Sequence, residues 1–171
     1  MPGDIRRVVM GHDEQGRSVV LSDGPARTFE RLGLGGLTLH DVWSTNQSPA
    51  RITPSEPDPS DGPFSIEIPR NGVRIRFMDM PPAGPGVEPF MHRTPSIDYG
   101  VVMEGVMTML MDDDQELVLK AGDVIIQRGT NHAWVNRSTG TVRMLFIIIG
   151  AEFDPAMGID APWPPPAAHG G

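Results

Sequence analysis

Residues 86–105 read GVEPFMHRTPSIDYGVVMEG, and residues 122–136 read GDVIIQRGTNHAWVN. Both stretches alternate apolar and polar positions in short runs stopped by glycine, which is the pattern of half-buried strands joined by turns. On a strand, residues two apart point to one face. His92 and Thr94 therefore share a face, as do His132, Trp134 and Asn136, and Asp98 opens a strand after the Pro95 bend. If the sheet curls, these faces converge, and two imidazoles meet one carboxylate. That is the ligand set of a 2-His-1-carboxylate metal site with open positions, suited to Fe, Mn, Zn or Ni rather than calcium.

The rest of the chain reads the same way. Its 171 residues suit one domain, and 20 glycines with 18 prolines are roughly twice average usage. Chains punctuated this often do not form helical bundles. Strands are expected at 5–10 and 18–21 (a hairpin around Asp13-Glu14-Gln15-Gly16), 37–44, 65–68, 72–78, 90–94, 98–104, 106–111, 116–119, 123–127, 132–136 and 142–149. Asp112 to Gln115 should turn a hairpin, and the almost wholly apolar run 142–149 should be buried on both faces. A short turn near Thr28 to Leu32 is the one helical candidate. Residues 1–45 read as a strand extension, 46–63 as a loop, 64–150 as the barrel and 151–171 as a proline-rich tail.

The net charge of −8 argues against nucleic acid or an anionic membrane as partner. With no cysteine in the chain, thiolate metal sites and cysteine nucleophiles are excluded. No apolar run approaches the length of a membrane span, so a cytoplasmic location is expected.

At this point the sequence resembles the cupin superfamily. The first cupin motif is matched by Gly86, His92, Asp98 at the Glu position and Gly105, with Thr94 where a second histidine belongs. The second is matched by Gly122, Asp123, Gly129, His132 and Asn136, one residue short before Gly129 and without its proline. The resemblance implies an all-β jelly-roll barrel (a double-stranded β-helix) with an N-terminal strand extension, commonly a homodimer that exchanges those strands. It implies metal ligands at His92, Asp98 and His132 for a divalent ion (Fe, Mn, Zn or Ni). Thr94, Tyr99, Gln127 and Trp134 are the pocket candidates, and Asn136 reads as structural. Two functions stay open. One is a metal-dependent enzyme acting on an oxygenated small molecule, with dioxygenase, isomerase, decarboxylase, dehydratase or cyclase chemistry. The other is a non-catalytic small-ligand-binding cupin. His12, His40 and His169 have no partner at ligand spacing.

Overall fold

The computed structural model describes residues 3–30, 35–53 and 56–159. Eleven strands run β1 (Arg6–His12), β2 (Ser18–Pro25), β3 (Arg27–Glu30), β4 (Thr38–Thr45), β5 (Val73–Met80), β6 (Ser96–Glu104), β7 (Val106–Leu110), β8 (Glu116–Lys120), β9 (Val124–Arg128), β10 (Ala133–Val135) and β11 (Val142–Gly150). The fold is the expected all-β jelly roll. A six-stranded sheet, ordered β3-β4-β5-β11-β6-β9, packs against a three-stranded sheet, β10-β7-β8, and β1 and β2 form a separate hairpin.

Strand β11 is the middle of the large sheet. It pairs antiparallel with β5 from Val142↔Met80 to Ile149↔Val73, and with β6 from Arg143↔Glu104 to Gly150↔Ser96. Its inward residues Val142, Met144, Phe146 and Ile148 are buried. Arg143, Leu145, Ile147 and Ile149 are only half-buried, which corrects the expectation of burial on both faces. Both edges of the strand are paired, but only one sheet face has a second layer over it. Met107 and Leu119 come from the small sheet to meet Val102, Met144 and Phe146 in a single core. Each such fully buried side chain contributes about 1.5–3 kcal/mol.

Three further expectations fail locally. Residues 28–30 are strand rather than helical turn, because β3 pairs with β4 from Arg27↔Asp41 to Glu30↔Thr38; residues 31–34 lie outside the described part. Residues 65–68 join no ladder. The Ser65 carbonyl instead accepts hydrogen bonds from the guanidinium groups of Arg74 and Arg76. Residues 90–94 form one isolated bridge, His92↔His132, since Pro89 and Pro95 on either side lack the N–H that a ladder needs.

The base of the β1–β2 hairpin is tied to the following loop by Arg7. Its Nη1 donates to Asp58 Oδ1 at 2.9 Å, to Ser60 Oγ at 2.9 Å and to the Val42 carbonyl at 3.2 Å, and its Nη2 also bonds Asp58. The Arg7 guanidinium, with help from Ser60, pulls the Asp58 carboxyl down to about 2. A carboxylate with a lowered folded-state pKa stabilises the fold above its unfolded value, and this contribution is lost as pH falls through the folded one. The stability advantage of the wild type over Asp58→Asn should therefore be full at neutral pH and should fade between about pH 4 and pH 2. Urea unfolding across that range measures it, and a gap that does not shrink refutes the assignment.

Candidate functional site

The bridge that replaces the expected strand builds the site. The His92 N–H donates to the His132 carbonyl at 2.8 Å, and the His132 N–H donates back at 2.9 Å. This closes a reciprocal antiparallel pair and sets the two imidazoles side by side, with ring centroids 4.3 Å apart. His92 Nδ1 lies 3.0 Å from the Phe90 carbonyl, and His132 Nδ1 lies 3.0 Å from the Thr130 carbonyl. A carbonyl can only accept, so Nδ1 carries the proton in both rings. Burial first, then the neighbouring His92, pushes His132 down to about 4, partly opposed by the Thr130 bond. Near neutral pH its ring is uncharged, with the lone pair on Nε2. Phe90 stacks on His92 at 5.3 Å, and Trp134 meets His132 edge-on at 5.5 Å and Phe146 at 5.7 Å.

Two glycines make room for this arrangement. Gly129 has φ 62°, and a Cβ there would stand 2.5 Å from the Phe153 ring. Glycine alone gives both the left-handed turn before His132 and the close approach of the C-terminal segment. Gly100 faces inward on β6, where a Cβ would lie 2.8 Å from Ile125 and 3.0 Å from Phe146.

The histidine pair forms part of the wall of a cavity of about 210 Å³. Its walls are largely apolar, with Leu39, Met78, Phe90, Trp134, Phe146 and Ile148 among them; Thr94, Asp98, Asn136 and Arg76 also line it. Thr94, Ser96 and Asp98 point inward in succession, and Thr94 Oγ1 bonds Ser96 Oγ at 2.7 Å. Asp98 is 9% exposed, and its Oδ1 has no hydrogen-bond partner. Burial pushes this carboxyl up to about 6, with the Ser96 hydroxyl opposing.

The structure thus gathers His92, Thr94, Asp98, His132 and Trp134 around one cavity. Gln127 stands directly across the β6–β9 ladder from Asp98, 3% exposed, with neither amide atom bonded, and does not line the cavity. Tyr99 is adjacent to Asp98 in sequence, so it falls on the opposite face of β6, where it is 38% exposed and away from the cavity. Among the described residues, no three His, Asp or Glu side chains are grouped closely enough to hold a metal ion. His92, Asp98 and His132 share the cavity but do not assemble as the expected three-ligand set. As arranged, they do not fit a facial metal centre.

Sequence reading missed Arg76. Its guanidinium lines the cavity, holds both Asp41 carboxylate oxygens, donates to the Ser65 carbonyl at 2.9 Å and sits 5.1 Å over the Phe64 ring. The alternation Arg74, Arg76, Met78, Met80 carries the signal: a charged residue at inward parity requires a partner. His40, without a partner at ligand spacing in the sequence, lies 2.9 Å from both Asp79 Oδ2 and Thr28 Oγ1. His169 lies outside the described residues.

Two packed antiparallel sheets around a largely apolar cavity define a jelly-roll protein of the cupin kind. The chain belongs to the cupin family: a family model described as the cupin domain matches residues 76–148. It is 37% identical over 157 residues to a cupin-domain-containing oxidoreductase, fogC, of Aspergillus ruber, covering 85% of this chain and 72% of that one. It is 36% identical over 152 residues to the phomopsin biosynthesis cluster protein C' of Diaporthe leptostromiformis, covering 85% and 78%. The cupin domain of Schizosaccharomyces pombe Cnp3 superposes with a TM-score of 0.50 at 12% identity, over 90% of each chain. That likeness concerns the fold alone. Among the described residues no helix is long and apolar enough to cross a membrane.

Asn136, fully buried, also lines the cavity. Its Nδ2 donates to the Met80 and Gly140 carbonyls at 2.8 and 2.7 Å, and its Oδ1 accepts from Ser138 N and Oγ at 2.9 and 2.6 Å. Asn136→Ala leaves those groups unsatisfied and should cost about 2–4 kcal/mol. Chemical denaturation checks this, and a loss within error of zero would show the network to be dispensable.

Proposed function

We propose that this chain is a small-molecule cupin enzyme, with the apolar cavity as its substrate site and the His92–His132 pair as its polar working end. The carrying observation is that pair: two imidazoles held at 4.3 Å with both Nδ1 protons committed to backbone carbonyls. A relative covering most of the chain is described as a cupin-domain-containing oxidoreductase, and another as a biosynthesis-cluster protein, which favours turnover of an organic metabolite. The uncharged His132 ring can accept a proton at Nε2 from a substrate hydroxyl or an acidified C–H. Trp134, Phe146 and Ile148 enclose the apolar part of the substrate and exclude water. The sequence-derived divalent metal (Fe, Mn, Zn or Ni) lacks its three-ligand set here, so no step is routed through it.

That missing set favours a second reading, a cupin that binds its small molecule without transforming it. His92→Ala and His132→Ala separate the two. The bridge between these residues is made by main-chain atoms, so both variants keep it. Against a panel of small oxygenated organic compounds, the wild type should show turnover, and each variant should reduce it about a hundredfold or more. Binding with no turnover in the wild type would establish the second reading.

The partner of the chain is proposed to be a second copy of itself. The hairpin exposes Val8, Met10, Val20 and Leu21, and the outer face of β6 and β9 exposes Tyr99, Met103, Val124 and Ile126. Two unpaired apolar surfaces on one chain can cover each other in a symmetric pair. Light scattering should give twice the 18.6 kDa chain mass, and Met10→Glu with Val20→Glu should shift it toward one chain. A wild type that stays monomeric at high concentration refutes this.

A further inference from the structure

We propose that the Asp98 carboxylate receives the hydroxyl of an uncharged, largely apolar substrate rather than serving as a metal ligand. The inference rests on reading the cavity as the substrate site and goes further by naming what enters it.

The cavity wall holds an orphaned acceptor. Asp98 lines the cavity, and its Oδ1 is buried without a partner. A buried acceptor without a donor is unfavourable, so the site is complete only when a donor arrives. Further unmet groups stand directly across the ladder. Gln127 brings an unbonded amide N–H₂ and an unbonded carbonyl to the same rung. A hydroxyl in the cavity can donate to Asp98 Oδ1 while its oxygen accepts through a bridging water from the Gln127 amide, which stands outside the cavity wall. A carboxylate only accepts, so it leaves Asp98 Oδ1 unmet; an ammonium could donate to both Asp98 Oδ1 and the Gln127 carbonyl, so it is desolvation that disfavours it.

Arg76 is the one lysine or arginine among the described lining residues, and Asp41 and the Ser65 carbonyl already engage it. Glu88 and Asp98 are the acids in the wall. An anionic substrate finds no uncommitted cation there and meets carboxylates instead. An ammonium would have to shed its hydration among apolar side chains, which opposes its binding. An uncharged molecule with one hydroxyl meets neither penalty.

The test compares four probes of one size and shape: benzyl alcohol, benzoate, benzylammonium and toluene. Their affinities for the full chain are measured by titration calorimetry with ligand-observed NMR. The wild type should bind benzyl alcohol about tenfold or more tighter than either charged probe. Asp98→Leu should bind toluene as the wild type does while the advantage of the alcohol over toluene disappears. Gln127→Leu should reduce that advantage in part. Benzoate or benzylammonium binding as tightly as the alcohol overturns the proposal, and this arm needs no variant to fold. An undiminished alcohol preference in Asp98→Leu overturns it too, as does a tenfold loss of Zn(II) affinity in that variant, which would return Asp98 to metal binding. If no probe binds, the cavity reading fails together with the proposal. If the preference holds but no compound is turned over, only the enzymatic reading fails.

Discussion

Strand β11 is the constraint on which the rest of the molecule depends. It is hydrogen-bonded along both edges, to β5 on one side and β6 on the other. Those neighbours supply Arg76 and Asp98 to the cavity wall, and β11 itself supplies Phe146 and Ile148. Because side chains alternate across a strand, a one-residue slip of this central strand would move its apolar residues from the core to the outer face. Phe146 lies opposite Arg76 on one side and Gly100 on the other, and Ile148 lies opposite Asp98, which lies opposite Gln127. The polar rung and the apolar wall are thus positioned by one ladder register, before any side-chain bond is made.

The cavity is economical in charge. Its arginine is neutralised from behind by Asp41, and its buried histidine is kept uncharged by desolvation. Its buried carboxyl is pushed up to about 6 by the same cause. The first two lower the electrostatic cost of an apolar interior, while Asp98 stays mostly ionised near neutral pH. What the interior retains is hydrogen-bonding capacity, concentrated on the inward faces of β6 and β9 and on the His92–His132 bridge.

Much of this was legible in the sequence, for physical reasons that can be named. Period-two alternation put His92 with Thr94 and His132 with Trp134 on shared faces, and glycine spacing placed the turns, so the convergence of the two segments was readable. How deep along the barrel each group lies is not carried by alternation. Asp98 therefore has the right face and the right cavity without joining the histidines as a ligand group. Tyr99 shows the limit of adjacency, since one residue beyond Asp98 means the opposite face. The strand expected at 90–94 overlooked what Pro89 and Pro95 remove from a ladder. The Arg76–Asp41 pair joins residues 35 apart in sequence, and local pattern reveals only that Arg76 needs a partner, not which residue supplies it.

Gly100 carries a consequence for how such a site can diverge. A single added methyl there would press on Phe146, which packs edge-on against Trp134, which in turn packs against His132. The bore of the cavity is therefore adjustable from a position that touches no reacting group. A gene copy could explore larger or smaller substrates through residue 100 and its two aromatic followers, leaving the histidine bridge intact throughout. In such a lineage, substrate size and chemistry would be free to evolve on separate residues.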